Sequence, residues 1–229
     1  QLLMPQLLLA GVLLGMFHWT NYWDFVIYFV VTGAVVLFSN IILFQGRWKW
    51  ILAVTAAQAA AIFIIATIVI MPFTLQFETM VQGVALAQNH SMIHQLLILW
   101  GLPAALVISF VIILLVQKLG TAEKKTPYHF LASLKIPDMF AVIMGLCALG
   151  LVLIPELVYV RDIYENGSAR ANTMFKLTYQ AYIMFAMTMA YVIFRFIAVF
   201  RKKILKAAGG TALFLLICTW GYFGNSVSA

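Results

Sequence analysis

The chain has 229 residues, of which 65% are apolar and only 9% charged, and its formal net charge is +7. That composition excludes a water-soluble globular core and marks an integral membrane protein. It also excludes a β-barrel, because the apolar residues come in long blocks rather than in strand-like alternation.

Taken in chain order, about seven apolar blocks come close to or exceed the ~20 residues that a helix needs to cross hydrocarbon: 2–17, 25–44, 48–73, 93–116, 139–154, 173–200 and 204–223. The fold expected is therefore all-α, a polytopic transmembrane helix bundle forming a single domain over 1–229. The chain opens with Gln1 inside an apolar run that lacks a basic n-region, so it does not read as a signal peptide but as part of a longer membrane protein. The block at 173–200 exceeds what a bilayer requires and is expected to tilt or project.

Lys and Arg follow alternate segments: Arg47 and Lys49, then Lys118, Lys124, Lys125 and Lys135, then Arg201, Lys202, Lys203 and Lys206. By the positive-inside rule these connections are cytoplasmic, among them the linker 117–137. The positive balance is thus a topology signal, and no basic surface interleaved with aromatics suggests a nucleic-acid partner. The opposite, outward face receives 18–24, 74–92 and 155–172, with Asp24, Glu78, Glu156, Asp162 and Glu165. Cys147 and Cys218 fall within apolar blocks, where free cysteine behaves as a small hydrophobe.

Between the first two blocks stands HWTNYWDF, 18–25. Trp19, Tyr22 and Trp23 suit an interface belt, whereas Asp24 directly precedes a helix and fits an N-cap or first-turn acid as well as a site. Further along, His90 and His94 are spaced i, i+4, and two imidazoles on one helical face can share a metal. Without a defined third ligand, hydrogen bonding to substrate or water is the stronger reading, with a divalent metal as the alternative. Asn89-His-Ser91 also matches a glycosylation sequon, a tripeptide common by chance.

The densest constellation is PELVYVRDIYENGSARANTMFK, 155–176, which holds Glu156, Arg161, Asp162, Glu165, Arg170 and Lys176. Pro155 is expected to end the fifth helix, since proline removes a ladder hydrogen bond. Asn172 or Thr173 is expected to cap the sixth. Asn172, Lys176 and Gln180 then recur at i, i+4, i+8, a polar stripe that should face protein or a water-filled cavity. Ionisable groups at membrane depth are costly and usually mark a site, although Lys176 near a helix end can also snorkel outward.

The acid Glu156, then VYVRD, NTMFK and TYQAY, with NYWDF upstream, resemble the YYY family of polytopic archaeal and bacterial membrane proteins, a domain of unknown function. The pattern falls on Asn21, Trp23, Asp24, Glu156, Tyr159, Arg161, Asp162, Arg170, Asn172, Thr173, Phe175, Lys176, Gln180 and Tyr182. Leu177 and Thr178 depart from the more aromatic run expected after the lysine, and an upstream Asp-Leu-His-like loop motif is absent. That family in turn resembles GT-C glycosyltransferases, which implies sugar transfer from a polyprenyl-phosphate donor on the outer face of a prokaryotic plasma membrane. Arg161, Arg170 and Lys176 are then candidates for gripping the donor phosphate. Asp162, Glu156 and Asp24, in that order, are candidates for the base that deprotonates an acceptor hydroxyl. Asn172, Gln180, Trp23, Tyr159, His90 and His94 are candidates for substrate contact. The partners expected are a polyprenyl-phosphate-linked sugar and membrane lipids. A transporter or lipid flippase, or a non-catalytic membrane scaffold, is the competing expectation.

Overall fold

The computed structural model describes residues 4–77, 83–120, 126–161 and 168–227, with side chains throughout except at 220 and 222–227. The elements are α1 (Pro5–Thr20), α2 (Tyr22–Leu43), α3 (Trp48–Thr74), β1 (Gly83–Leu86), α4 (Ile93–Gly120), α5 (Pro127–Ser133), α6 (Ile136–Leu157) and β2 (Val158–Arg161). Then follow α7 (Ala171–Phe194), a π-helical turn (Arg195–Val199) and α8 (Lys203–Val227). Every expected apolar block carries a helix. Among the described residues, five helices are long and apolar enough to span a membrane: α2, α3, α4, α6, and α7 with its π-turn. The protein is an integral membrane protein. With 16 residues, α1 reaches only ~24 Å at 1.5 Å per residue.

Side-chain size sets the helix contacts. Lipid offers no hydrophobic drive for helices to associate, so small residues that allow close approach matter most. Gly11 and Gly15 on α1 form a GxxxG pair against α3, where a Cβ at either would lie 2.7 Å from Ile65 Cβ or Val69 Cβ. Gly145 on α6 does the same toward α4, 2.8 Å from the Val107 methyls. Around α6 and α7 the central core contains Ala148, Ala181, Met184 and Phe185, joined by Ile27 and Val31 of α2. A second core near the other end joins α4, α6, α7 and α8 through Phe110, Val192, Phe196 and Ala212.

One local expectation is corrected. Pro155 does not end its helix: α6 continues to Leu157 with the proline inside it. In the connections 74–92 and 155–172, Gly83–Leu86 and Val158–Arg161 pair as an antiparallel ladder. Within the linker 117–137, α4 runs to Gly120 and α5 starts at Pro127. Thr126 caps α5, its Oγ1 accepting from His129 N at 3.3 Å, and proline at the first helical position supports the same start.

At the end of the bundle opposite the ladder, Asp138 of α6 is 1% exposed and meets Arg195 after α7. Arg195 Nη2 donates to Oδ2 at 2.9 Å, and Tyr191 donates its hydroxyl to Oδ1 at 2.7 Å. Arg195 Nε also lies 2.9 Å from Oδ1, a charge contact without hydrogen-bond alignment. The guanidinium stands over Phe200, 5.1 Å from its ring centroid.

Two stability outcomes follow from these contacts. Gly15→Ile should destabilise the folded protein by about 1–3 kcal/mol through overpacking, whereas Gly33→Ile, where a Cβ would have nothing within 4 Å, should be near neutral; thermal unfolding in detergent separates them. Arg195→Met alone should cost about 3–5 kcal/mol by leaving Asp138 buried and unpaired, and adding Asp138→Leu should recover most of that loss.

Candidate functional site

At the ladder end of the bundle two polar nodes form between elements far apart in sequence. The first joins α6, α7 and the residues before α4. Glu156, 9% exposed, closes the last turn of α6 and accepts at both carboxylate oxygens. Oε1 receives Arg170 Nη1 at 2.8 Å and the Ser91 hydroxyl at 2.7 Å, while Oε2 receives Ser91 N at 2.7 Å. Arg170 Nη2 donates to Ser91 Oγ at 3.1 Å, so the three side chains close a ring.

The helix end explains why the ring forms here. The last carbonyls of α6 have no partner within the helix and carry the negative end of its dipole. Arg170 Nη1 donates to Pro155 O at 3.2 Å, and His90 Nδ1 lies 2.8 Å from Glu156 O. A carbonyl only accepts, so that histidine nitrogen carries the proton in this contact. Arg170 is thus both the ion-pair partner of Glu156 and a cap for its helix. Among the described residues, its contacts use three of the five guanidinium N–H groups. The remaining two have no partner among the described residues.

Two cavities flank the ring. One, of about 410 Å³, has a mixed lining whose polar residues are Gln88, Asn89, Tyr159, Ser168 and Arg170. The other, of about 300 Å³, runs along α4 from Ser91 past Leu96, Leu99 and Trp100. Met174 of α7 walls both. Arg170 lines the first and Ser91 the second, so their contact stands between a chamber with polar groups and an apolar groove.

The second node joins α2 to α7. Asp24 Oδ1 accepts from Gln180 Nε2 at 2.7 Å and from Asn21 Nδ2 at 3.0 Å, and Tyr28 donates its hydroxyl to Gln180 Oε1 at 2.9 Å. Asp24 is a first-turn acid of α2, but its carboxylate reaches across to α7 instead of capping its own helix. Trp23 beside it lines an apolar groove of about 420 Å³ with Ile27, Cys147, Ile154 and Leu177.

The other sequence candidates distribute around these nodes. Tyr159 pairs with Ala85 in the ladder, and exposed Arg161 pairs with Gly83 on the same ladder face as Tyr159. Lys176 is half-buried, its Nζ 5.9 Å from the Phe175 ring centroid. Asn172 is half-buried in the first turn of α7, but the N-cap of that helix is Arg170, and no side-chain cap bond is made. Thr173 is no cap either, since its Oγ1 accepts from Val160 N at 2.9 Å. The His90 and His94 pair does not share a helical face, because α4 starts at Ile93 and His90 lies outside it. Among the described residues no cluster of three or more His, Cys, Asp or Glu could hold a metal. Asp162, Glu78 and Glu165 lie outside the described residues.

Sequence reasoning overlooked Ser91, noticed only as part of a sequon, and Tyr28. It also overlooked Asp138 and Arg195, although an arginine inside an apolar block is itself a signal.

The profile of a family described as uncharacterized membrane protein (DUF2298) matches residues 2–137 and 128–185. The chain belongs to this family. No curated protein and no solved structure matches it. The match to DUF2298 bears out a membrane family without an assigned activity, and it names neither the YYY family nor a glycosyltransferase. Its span takes in both polar nodes, from Asp24 to Gln180, and stops short of Arg195.

The ring of Glu156, Ser91 and Arg170 should show coupled energetics. A double-mutant cycle of Glu156→Gln and Arg170→Met is expected to give a coupling of about 0.5–3 kcal/mol, and Ser91→Ala should cost about 1–3 kcal/mol by removing the hydroxyl that bridges the carboxylate and the guanidinium. Unfolding monitored by intrinsic fluorescence in detergent measures both.

Proposed function

We propose that this member of DUF2298 is a GT-C-type membrane glycosyltransferase that moves a sugar from a polyprenyl-phosphate donor to an acceptor on the outer face of a prokaryotic plasma membrane. The observation that carries the reading is the position of Arg170, held by Glu156 and Ser91 between a chamber with polar groups and an apolar groove. A lipid-linked sugar phosphate has the same division, with a charged head and a hydrocarbon tail. In this reading α1 and α8 complete about seven membrane segments, and the ladder end faces outward.

The roles divide by what each group has left to offer. Arg170 gives its two remaining N–H groups to phosphate oxygens, in the fork geometry that suits guanidinium–phosphate pairs. The Glu156–Arg170 pair is neutral as a unit, and Arg161 and Lys176 are the further cations assigned to the phosphate. Glu156 has both oxygens engaged and is assigned to positioning Arg170. The base for the acceptor hydroxyl is then Asp162, with Asp24 next in order. Gln88, Asn89 and Tyr159 line the chamber where sugar and acceptor would meet, and Tyr159 offers a ring for a sugar face. A transporter would more commonly hold its charged groups near the bilayer midplane on broken helices, whereas Glu156 and Arg170 sit at helix ends.

The test is sugar transfer by the full-length protein in liposomes, supplied with a panel of labelled polyprenyl-phosphate sugars. Transfer is expected, with a loss of about 100-fold or more in folded Arg170→Ala and Asp162→Asn variants. Lipid binding without transfer to any acceptor would replace this reading with a transporter or scaffold. Transfer undiminished in Arg170→Ala would remove the site from the ring.

A further inference from the structure

The ladder β1–β2 has two unlike faces. Its register sets Gly83 opposite Arg161, Val84 opposite Val160, Ala85 opposite Tyr159 and Leu86 opposite Val158. Cross-strand partners project to the same side and successive residues to opposite sides. Val84, Leu86, Val158 and Val160 therefore share one face, which is wholly aliphatic. Ala85, Tyr159 and Arg161 share the other, and Tyr159 turns that face toward the chamber beside Arg170.

On the aliphatic face Val84 is 69% exposed and Leu86 75%. This patch lies next to a helix that spans the membrane. β2 starts directly after Leu157, the last residue of the membrane-spanning α6, and Leu157 is itself 66% exposed above exposed Leu153 and Ile154. At ~3.3 Å per residue, the four residues of β2 cannot carry the ladder more than ~13 Å beyond the end of that helix.

Two opposed requirements then fix the depth. A two-stranded ladder leaves an outer edge of backbone donors and acceptors on each strand. Thr173 Oγ1 takes the Val160 N–H, but edge groups without such a partner need water and cannot enter hydrocarbon. The aliphatic face pulls in the other direction, toward acyl chains. We infer that β1–β2 lies in the membrane interface, with Val84, Leu86, Val158 and Val160 turned toward acyl chains and Tyr159 and Arg161 toward headgroups and water. The partner of this surface is the bilayer itself. In consequence the chamber beside Arg170 opens at headgroup depth, and an anion held there arrives attached to a lipid. That consequence rests on the function proposed above; the depth of the ladder does not.

Spin labels report the depth without any assay of activity. Single cysteines at Val84→Cys, Leu86→Cys and Ala85→Cys, in full-length protein carrying Cys147→Ala and Cys218→Ser, are labelled and reconstituted in liposomes of zwitterionic and anionic phospholipid. Leu97→Cys on exposed α4 serves as the bilayer reference. Collision with oxygen, which concentrates in hydrocarbon, is compared with collision with a water-soluble nickel chelate. Labels at 84 and 86 are expected to favour oxygen as the reference does, at about 5–10 Å below the headgroup boundary, while the label at 85 favours nickel. Preference for nickel at 84 and 86 would place the ladder in water and overturn the inference. Shielding of both labels from both reagents would overturn it too, by showing a protein segment over the face.

Discussion

A carboxylate at the end of a membrane helix must be met on every oxygen, and the ladder end of this protein is organised around meeting that demand for Glu156. Ser91 and Arg170 supply the donors, one from the chain before α4 and the other from the start of α7. Because each partner comes from a different element, satisfying one buried acid fixes three elements relative to one another. The same node caps the carbonyls of Pro155 and Glu156, through Arg170 and His90, so the helix end and the charge pair have a common solution. Removal of one partner leaves a buried charge, which costs more than the intact pair contributes.

Polar contacts elsewhere repeat this economy. Asp24, Gln180 and Tyr28 tie α2 to α7 near the ladder end, and Asp138, Arg195 and Tyr191 tie α6 to α7 at the other. Asn40 joins α2 to α3, donating to Gln58 Oε1 at 2.7 Å and Thr55 Oγ1 at 2.9 Å. Between these ties the helices pack through small residues such as Gly11, Gly15 and Gly145. In lipid, where apolar burial discriminates poorly between helix faces, such ties and close approaches specify which faces meet.

Much of this was legible in the sequence, for identifiable reasons. Apolar block length revealed every long helix, because the hydrocarbon thickness imposes it. The scarcity of charge drew attention to Glu156, Arg170 and Asp24, and the polar stripe to Gln180, each of which the structure places in a polar node. What escaped was long-range. Ser91 has no sequence signal for a partner 65 residues away, and the ladder joins strands of four residues each that lie in two separate connections. Pro155 misled because its missing N–H removes only one ladder bond near a helix end, which the last turn of α6 tolerates. The spacing of His90 and His94 suggested one helical face, but periodicity cannot reveal that a helix begins between them.

Arg170, a guanidinium held in place by Glu156 and Ser91, is the group on which the proposed chemistry turns. The most direct measurement is equilibrium binding of labelled polyprenyl phosphate to the detergent-solubilised full-length protein, wild type against Arg170→Lys, with folding matched by thermal unfolding. Lysine keeps the charge but cannot span Glu156, Ser91 and a phosphate at once. Binding about tenfold weaker or more in the lysine variant is predicted, the equivalent of about 1.4 kcal/mol. Equal binding by both proteins would refute that role for the guanidinium.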